Sequence, residues 1–314
     1  MPDLSTRHRI GPLAVDFPAG GRRIIINANQ CYTLVRFRGD LIRALVDGGH
    51  EVVVTLPELP ASLEVSLAAL GARTIIVPMS RSSMNPWLDF VYTNALRRLY
   101  REFAPDIVFS IMVKPAIFGS LAARLEGVPR TVAMFTGLGY AFDRPRSLKQ
   151  RTASIAARSL SRIALRRADR VIFHNPDDRD LFVAGGLAPA ARCSVVDGSG
   201  VDLEHFVQVP LPVEPSFLLV ARLLEAKGIR EYIEAARRVK SDFPAVRFVL
   251  AGPADDSPDS VDPGIIERAR SDGVIDFLGE LADVRPSIRD AQVVVVPSYR
   301  EGRPRVVLEA MAMG

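Results

Sequence analysis

Apolar residues along this chain gather into short β-branched runs separated by stretches with helical spacing. The runs cover 23–27, 51–56, 73–78, 106–111, 130–135, 170–174 and 192–196. A strand covered on both faces reads as a nearly continuous apolar run. Such runs alternating with helical stretches predict parallel strands joined by crossover helices. After Val201-Asp202 the periodicity fades, and prolines at 210, 212 and 215 mark a linker. The pattern then restarts, with strands predicted over 216–221, 246–251, 274–278 and 293–297 and helices near 229–241, 265–271 and 284–289.

The resulting expectation is an α/β chain made of two facing Rossmann-like domains. Its divisions are a loose tail over 1–21, a first domain over 22–205, a linker over 206–215 and a second domain over 216–314. The last predicted helix starts near Pro304 and the sequence stops at Gly314, so a C-terminally truncated second domain is expected. Sheets of this kind bind ligands beyond the carboxyl ends of their strands, and a cleft between domains is a usual ligand site.

Composition narrows the class. With 314 residues, 48% hydrophobic and 24% charged, the chain has room for two cores. The two cysteines, Cys31 and Cys193, are far apart and follow no metal-ligand spacing, which fits a reducing cytoplasm. The first 21 residues carry Asp3, Arg7, His8, Arg9 and Asp16, so they do not read as a signal peptide. No apolar run reaches the roughly 18 residues of a membrane span. The net charge of +4 is unevenly spread: 144–170 holds nine Lys or Arg against one acid, Asp169. With Leu148, Ile155, Leu160, Ile163 and Leu165 interleaved, that stretch predicts a basic amphipathic helix. It is a candidate contact with an anionic membrane surface, or simply a solvated helix face.

The most informative chemistry lies near the end. From Pro297 to Ala310 the sequence runs out of a buried strand, through Gly302, to Pro304 as the expected first residue of a helix. The free N–H groups and positive dipole end there, at Arg305 and Val306, suit a diphosphate. Glu301 precedes the helix and Glu309 sits about one turn inside it; a carboxylate accepts two hydroxyls, as a sugar or ribose diol requires. Read alone, Glu301 is equally a solvated loop acid and Glu309 an ordinary helix residue. At the first strand of the same half, Val220-Ala221-Arg222 is followed by Lys227-Gly228. Two fixed cations there could stabilise a departing diphosphate, although alone they read as a surface pair.

Glu301 to Glu309 followed by Ala310-Met311-Ala312 resembles the E-x7-E motif of retaining family 4 glycosyltransferases, which have the GT-B fold. The resemblance implies that Glu301 contacts the donor hexose, Glu309 holds the nucleotide ribose, and Arg222 and Lys227 neutralise the diphosphate, with no cofactor and no metal. Ser80 to Pro86, Lys114 to Arg124 and Thr136 to Phe142 are similar to the bacterial branch that builds surface glycans on polyprenyl diphosphate carriers. Each follows a strand's carboxyl end, so Arg81, Asn85, Lys114, Thr136, Gly137 and Gly139 are candidate acceptor contacts. After the first strand, Asn27, Asn29 and the Arg36-Phe37-Arg38-Gly39 run, with Arg38, are candidates for contact with the acceptor or its diphosphate, although a helix with an exposed basic face explains the arginines equally well. Some relatives carry a histidine where this chain has Thr136, which puts that donor-sugar contact in doubt.

What the resemblance implies is transfer of a hexose or N-acetylhexosamine from a UDP-sugar to a polyprenyl-diphosphate-linked saccharide, with retention. The enzyme would be cytoplasmic and peripheral at the inner face of the plasma membrane. Alternatives are a UDP-sugar epimerase, or a non-catalytic protein that binds sugar nucleotides or a membrane surface. Asp178-Arg179-Asp180 has the D-x-D form of a metal site but is explained by capping, with Asn175 as N-cap and Pro176 as the first helical residue. His174 reads as a structural residue. Gly198-Ser199-Gly200 is followed by no helix and resembles the domain crossover. No nucleic-acid module is present.

Overall fold

The computed structural model describes residues 20–80, 83, 85–138, 142, 148–255, 259–299, 301 and 303–314, with backbone alone at 148–150. The expected site residues Arg81, Gly139 and Gly302, the basic residues Arg144 and Arg146, and tail residues 1–19 lie outside the described residues; so does the side chain of Lys149.

The first half runs β1 (Arg23–Asn27), α1 (Cys31–Asp47), β2 (Glu51–Leu56), α2 (Ala61–Ala68), β3 (Arg73–Ile76), α3 (Pro86–Phe103), β4 (Ile107–Ile111), a π-turn (Pro115–Gly119), α4 (Ser120–Leu125), β5 (Arg130–Phe135), α5 (Leu148–Leu165), β6 (Arg170–Phe173), α6 (Pro176–Ala184) and β7 (Cys193–Val195). The second runs β8 (Ser216–Val220), a 3₁₀ turn (Glu225–Lys227), α7 (Ile229–Asp242), β9 (Arg247–Ala251), α8 (Pro263–Ser271), β10 (Asp276–Phe277), α9 (Arg285–Arg289), β11 (Val293–Val294) and α10 (Arg305–Met313).

All strand pairs are parallel. The first sheet has seven strands in the order β3-β2-β1-β4-β5-β6-β7, and the second has four in the order β10-β9-β8-β11. Successive side chains of a strand point to opposite faces, so Ile25 and Val53 pack with α3 to α6 while Ile24, Ile26, Val52 and Val54 pack with α1 and α2. That two-sided burial is why the strands are continuous apolar runs. In the second half Leu219 and Leu250 face the cluster with α7 and α8, whereas Leu218 and Val249 face α9 and α10.

The two edge strands of the second sheet fall furthest short of the predicted runs. β10 and β11 lie at the sheet's edges and pair on one side only, and β11 gives way after Val294 although Val295 N–H still donates to Leu218 O at 2.8 Å. Pro304 is the N-cap of α10, in extended conformation, and the helix begins one residue later at Arg305.

Each sheet has a point where the strand order reverses, between β1 and β4 in the first and between β8 and β11 in the second. Loops leave such a point in opposite directions and open a crevice at the carboxyl ends. Among the described residues no helix is long and apolar enough to cross a membrane.

Candidate active site

The crevice of the second sheet is flanked by the loops leaving β8 and β11. After β8 the chain passes Arg222 and turns through Glu225–Lys227 into Gly228 at φ 70°, from which α7 departs. A glycine is required there because a Cβ would stand 2.4 Å from the carbonyl oxygen of Pro297, on the opposite loop. The close approach lets Tyr299 N–H donate to Ala226 O at 3.0 Å, so the loops are stitched together. Lys227 Nζ and Glu301 Oε1 meet at 2.6 Å, with both side chains about four-fifths buried (20% and 24% exposed).

Arg222 lies at the same crevice, its side chain half-exposed, with Nη1 donating to Asp255 Oδ2 at 2.8 Å. The Asp255 side chain is almost wholly buried after β9. One edge of the guanidinium is therefore fixed by a carboxylate that water does not reach, while its remaining donors keep solvent access.

Glu309 is buried in the second turn of α10, its carboxylate accepting from Arg305 Nε at 2.8 Å. Arg305 also reaches the first half: Nη1 donates to Arg36 O at 2.9 Å and its guanidinium lies 4.5 Å above the Phe37 ring. Asn175 Nδ2 donates to Glu301 O at 3.4 Å, and Arg303 pairs with Asp197, which binds the glutamate loop to the first half. Val306, next to Arg305, packs against the cluster beneath α10.

The first half uses several expected contacts internally. Lys114 Nζ donates to Ser80 O (2.9 Å), Ser83 O (2.6 Å) and Asp89 Oδ1 (2.7 Å). Asn85 caps α3 by accepting from Trp87 N–H at 3.0 Å. Thr136 donates its hydroxyl to Met112 Sδ. Gly137 faces open space. Arg38 is not on an exposed basic face of α1: it is 7% exposed, with Nη1 on Phe37 O and Ser199 Oγ and Nη2 against Met134 Sδ and His174 Nε2. Burial, and to a lesser degree Arg305, lower its pKa to about 10. Burial first, then Arg38 and Arg303, push His174 down to about 4, so its imidazole is neutral at pH 7. Asn175 caps α6 on Asp178 N–H at 2.7 Å, as the capping reading expects. On α5, Ile155 and Ile163 are exposed beside exposed Arg151 and Arg162.

Sequence reasoning did not single out Asp255, or the partners that Arg303, Arg305 and Asn175 find across the halves. Asp255 lacks any local signal; only the adjacency of β8 and β9 brings it to Arg222.

Comparison with known proteins follows the same two-part division. A family model described as a glycosyl transferase 4-like domain matches residues 34–197, and one described as glycosyl transferases group 1 matches residues 214–314. The chain is 29% identical over 296 residues to the N,N'-diacetylbacillosaminyl-diphospho-undecaprenol alpha-1,3-N-acetylgalactosaminyltransferase of Campylobacter jejuni, a match covering 90% of this chain and 76% of that protein. It is 26% identical over 263 residues to the UDP-Gal:alpha-D-GlcNAc-diphosphoundecaprenol alpha-1,3-galactosyltransferase of Escherichia coli, covering 78% of this chain and 65% of that one. The solved structure of Anabaena Alr3699/HepE in complex with UDP superposes with a TM-score of 0.65 at 17% identity, over 93% of this chain and 78% of that one. That last likeness shows the GT-B fold.

Proposed function

Since this chain belongs to the glycosyltransferases built from a glycosyl transferase 4-like domain and a group 1 domain, we propose that it moves a hexose or N-acetylhexosamine from a UDP-sugar to a polyprenyl-diphosphate-linked saccharide, with retention. The observation that carries the donor side is the meeting of Lys227 and Glu301 across the β8/β11 crevice, beside Arg222. The undecaprenol-diphosphate-linked substrates in the names of the two bacterial relatives support the acceptor.

In this reading Arg222 and Lys227 hold the diphosphate and stabilise the charge that grows as UDP departs. Glu301, released from Lys227 by the incoming phosphates, orients the sugar hydroxyls; Glu309 holds the ribose and Arg305 and Val306 offer their N–H groups at the start of α10. The bond from the anomeric carbon to the UDP oxygen breaks, the acceptor hydroxyl forms a new one on the same face, and its proton passes to the departing phosphate oxygen. Gly137 and Thr136 line the acceptor approach. Lys114 and Asn85 act there by shaping the loop before α3, and Arg38 by fixing the crossover at Ser199. The exposed basic face of α5 supports a peripheral position at the inner membrane surface.

The test is a panel of UDP-sugars incubated with the full chain and a bacterial membrane extract, reading UDP release and labelled lipid product, with Glu301→Ala as control. Labelled lipid from the parent and none from the variant is expected. Transfer retained by Glu301→Ala would contradict the donor assignment, and sugar conversion without any lipid would make the protein an epimerase.

A further inference from the structure

The side chain of Arg305 touches a donor-site carboxylate and the first half at once. Its Nε donates to Glu309 Oε1 at 2.8 Å, its Nη1 donates to Arg36 O at 2.9 Å, and its guanidinium lies 4.5 Å above the Phe37 ring. The receiving turn of α1 is itself tied to the second half. Arg36 stacks over Tyr32 and reaches back to Ala282 O, ahead of α9. Arg305 and Glu309 are both largely buried, at 20% and 11% side-chain exposure, so salt and water screen their pairing little.

The orientation of the fork matters because a carboxylate has two oxygens and an unrestrained guanidinium tends to claim both, in a bidentate pair. Here Glu309 receives Nε alone. Its Oε2 has no protein partner among the described residues and is not sealed from solvent. The ring beneath the guanidinium sets its plane and Arg36 O holds Nη1, which keeps the fork from turning onto Oε2. A carboxylate held in this way presents one free oxygen in a fixed direction, and a pre-organised acceptor binds a ligand hydroxyl with little ordering cost.

We propose that Arg305 and Phe37 are positioning residues for donor binding: Phe37, on the first half, sets the guanidinium that leaves Glu309 Oε2 free for a ribose hydroxyl on the second. The proposal rests on the reading that Glu309 holds the ribose. It makes donor affinity depend on an aromatic ring of the opposite half, acting through Arg305 rather than through the nucleotide.

The experiment is a double-mutant cycle on the full chain, with UDP affinity read by calorimetry in the parent, Phe37→Leu, Glu309→Gln and the double variant. Phe37→Leu is expected to weaken UDP binding about threefold, through loss of a partly buried cation–π contact. In the Glu309→Gln background, which has no carboxylate for Arg305 to orient, the same change is expected to cause no further loss. A merely structural role for Phe37 would lower the melting temperature and act equally in both backgrounds. Unchanged UDP affinity in Phe37→Leu, or an equal loss in the two backgrounds, would overturn the proposal and leave the ribose reading standing. If Glu309→Gln alone binds UDP like the parent, the ribose reading falls and the proposal with it. Should Phe37→Leu fail to fold, Arg305→Lys, which keeps the charge but carries a single nitrogen, takes its place in the cycle with the same expected and overturning results.

Discussion

The turn that carries Lys227 depends on a single hydrogen atom at Gly228, and replacing it with a methyl group tests the donor crevice directly. In Gly228→Ala the new Cβ would stand 2.4 Å from Pro297 O and 2.9 Å from Pro297 C, where real Cβ atoms keep at least 3.0 Å. The residue's φ of 70° adds a left-handed penalty of about 1–2 kcal/mol for alanine. Backbone lies on the other side of the clash, so relief requires the loops after β8 and β11 to part, adding about 1–3 kcal/mol. The sum, about 2–5 kcal/mol, corresponds to a melting temperature lower by roughly 3–8 °C at about 2.1 cal/mol/K of unfolding entropy per residue. Gly273→Ala supplies the control: its φ is 68° but nothing lies within 4 Å of a Cβ there, so it carries the conformational penalty alone. Parting the loops also separates Lys227 from Glu301, and UDP affinity is expected to fall about tenfold in Gly228→Ala only. Calorimetric melting and UDP titration of both variants make the comparison. If Gly228→Ala melts no lower than Gly273→Ala and binds UDP as the parent does, the close approach of the loops does not hold the site together.

Two further outcomes follow from buried titratable groups. Asp255→Asn keeps the shape but removes the carboxylate that fixes Arg222; kcat/KM for the donor is expected to fall about tenfold with little change in melting, and unchanged kinetics would dismiss Asp255 as a positioning residue. His174 has its folded pKa near 4, below the ordinary 6.5, so as pH falls the unfolded chain takes up the proton first. The stability held by the neutral imidazole is complete above about pH 6.5 and is lost as pH falls towards 4, roughly 3 kcal/mol in all. Urea unfolding of the parent and His174→Gln at pH 7.5 and 4.5 should show the variant losing less stability on acidification, and parallel losses in both would refute it.

The α/β alternation was legible because strands covered on both faces must be apolar throughout, as Ile24 to Ile26 and Val52 to Val54 are. Edge strands were less legible: residues 295–297 continue an apolar run that the sheet does not need. Among site residues, the spacing of Glu301 and Glu309 and the Arg222 and Lys227 pair could be read as candidates, since strand-to-helix junctions are local features. The state of Lys114 could not, because its oxygens come from the loop after β3 and the first turn of α3, at sequence separations of 25 to 34. The same holds for Arg38, which local pattern makes a surface arginine and its contacts with Met134, His174 and Ser199 make a buried one.

Sequence alone determined what is local here: the alternation of elements, the cap at Asn175, and the junctions that present glutamates and cations at strand ends. Tertiary structure decided the pairings. Lys227 meets Glu301 across 74 residues because β11 lies beside β8, and Arg222 meets Asp255 because β9 lies on β8's other side. Strand order is fixed by the burial of whole sheet faces, a sum over many residues that no short motif encodes, and it is this order that turns separate candidates into one crevice.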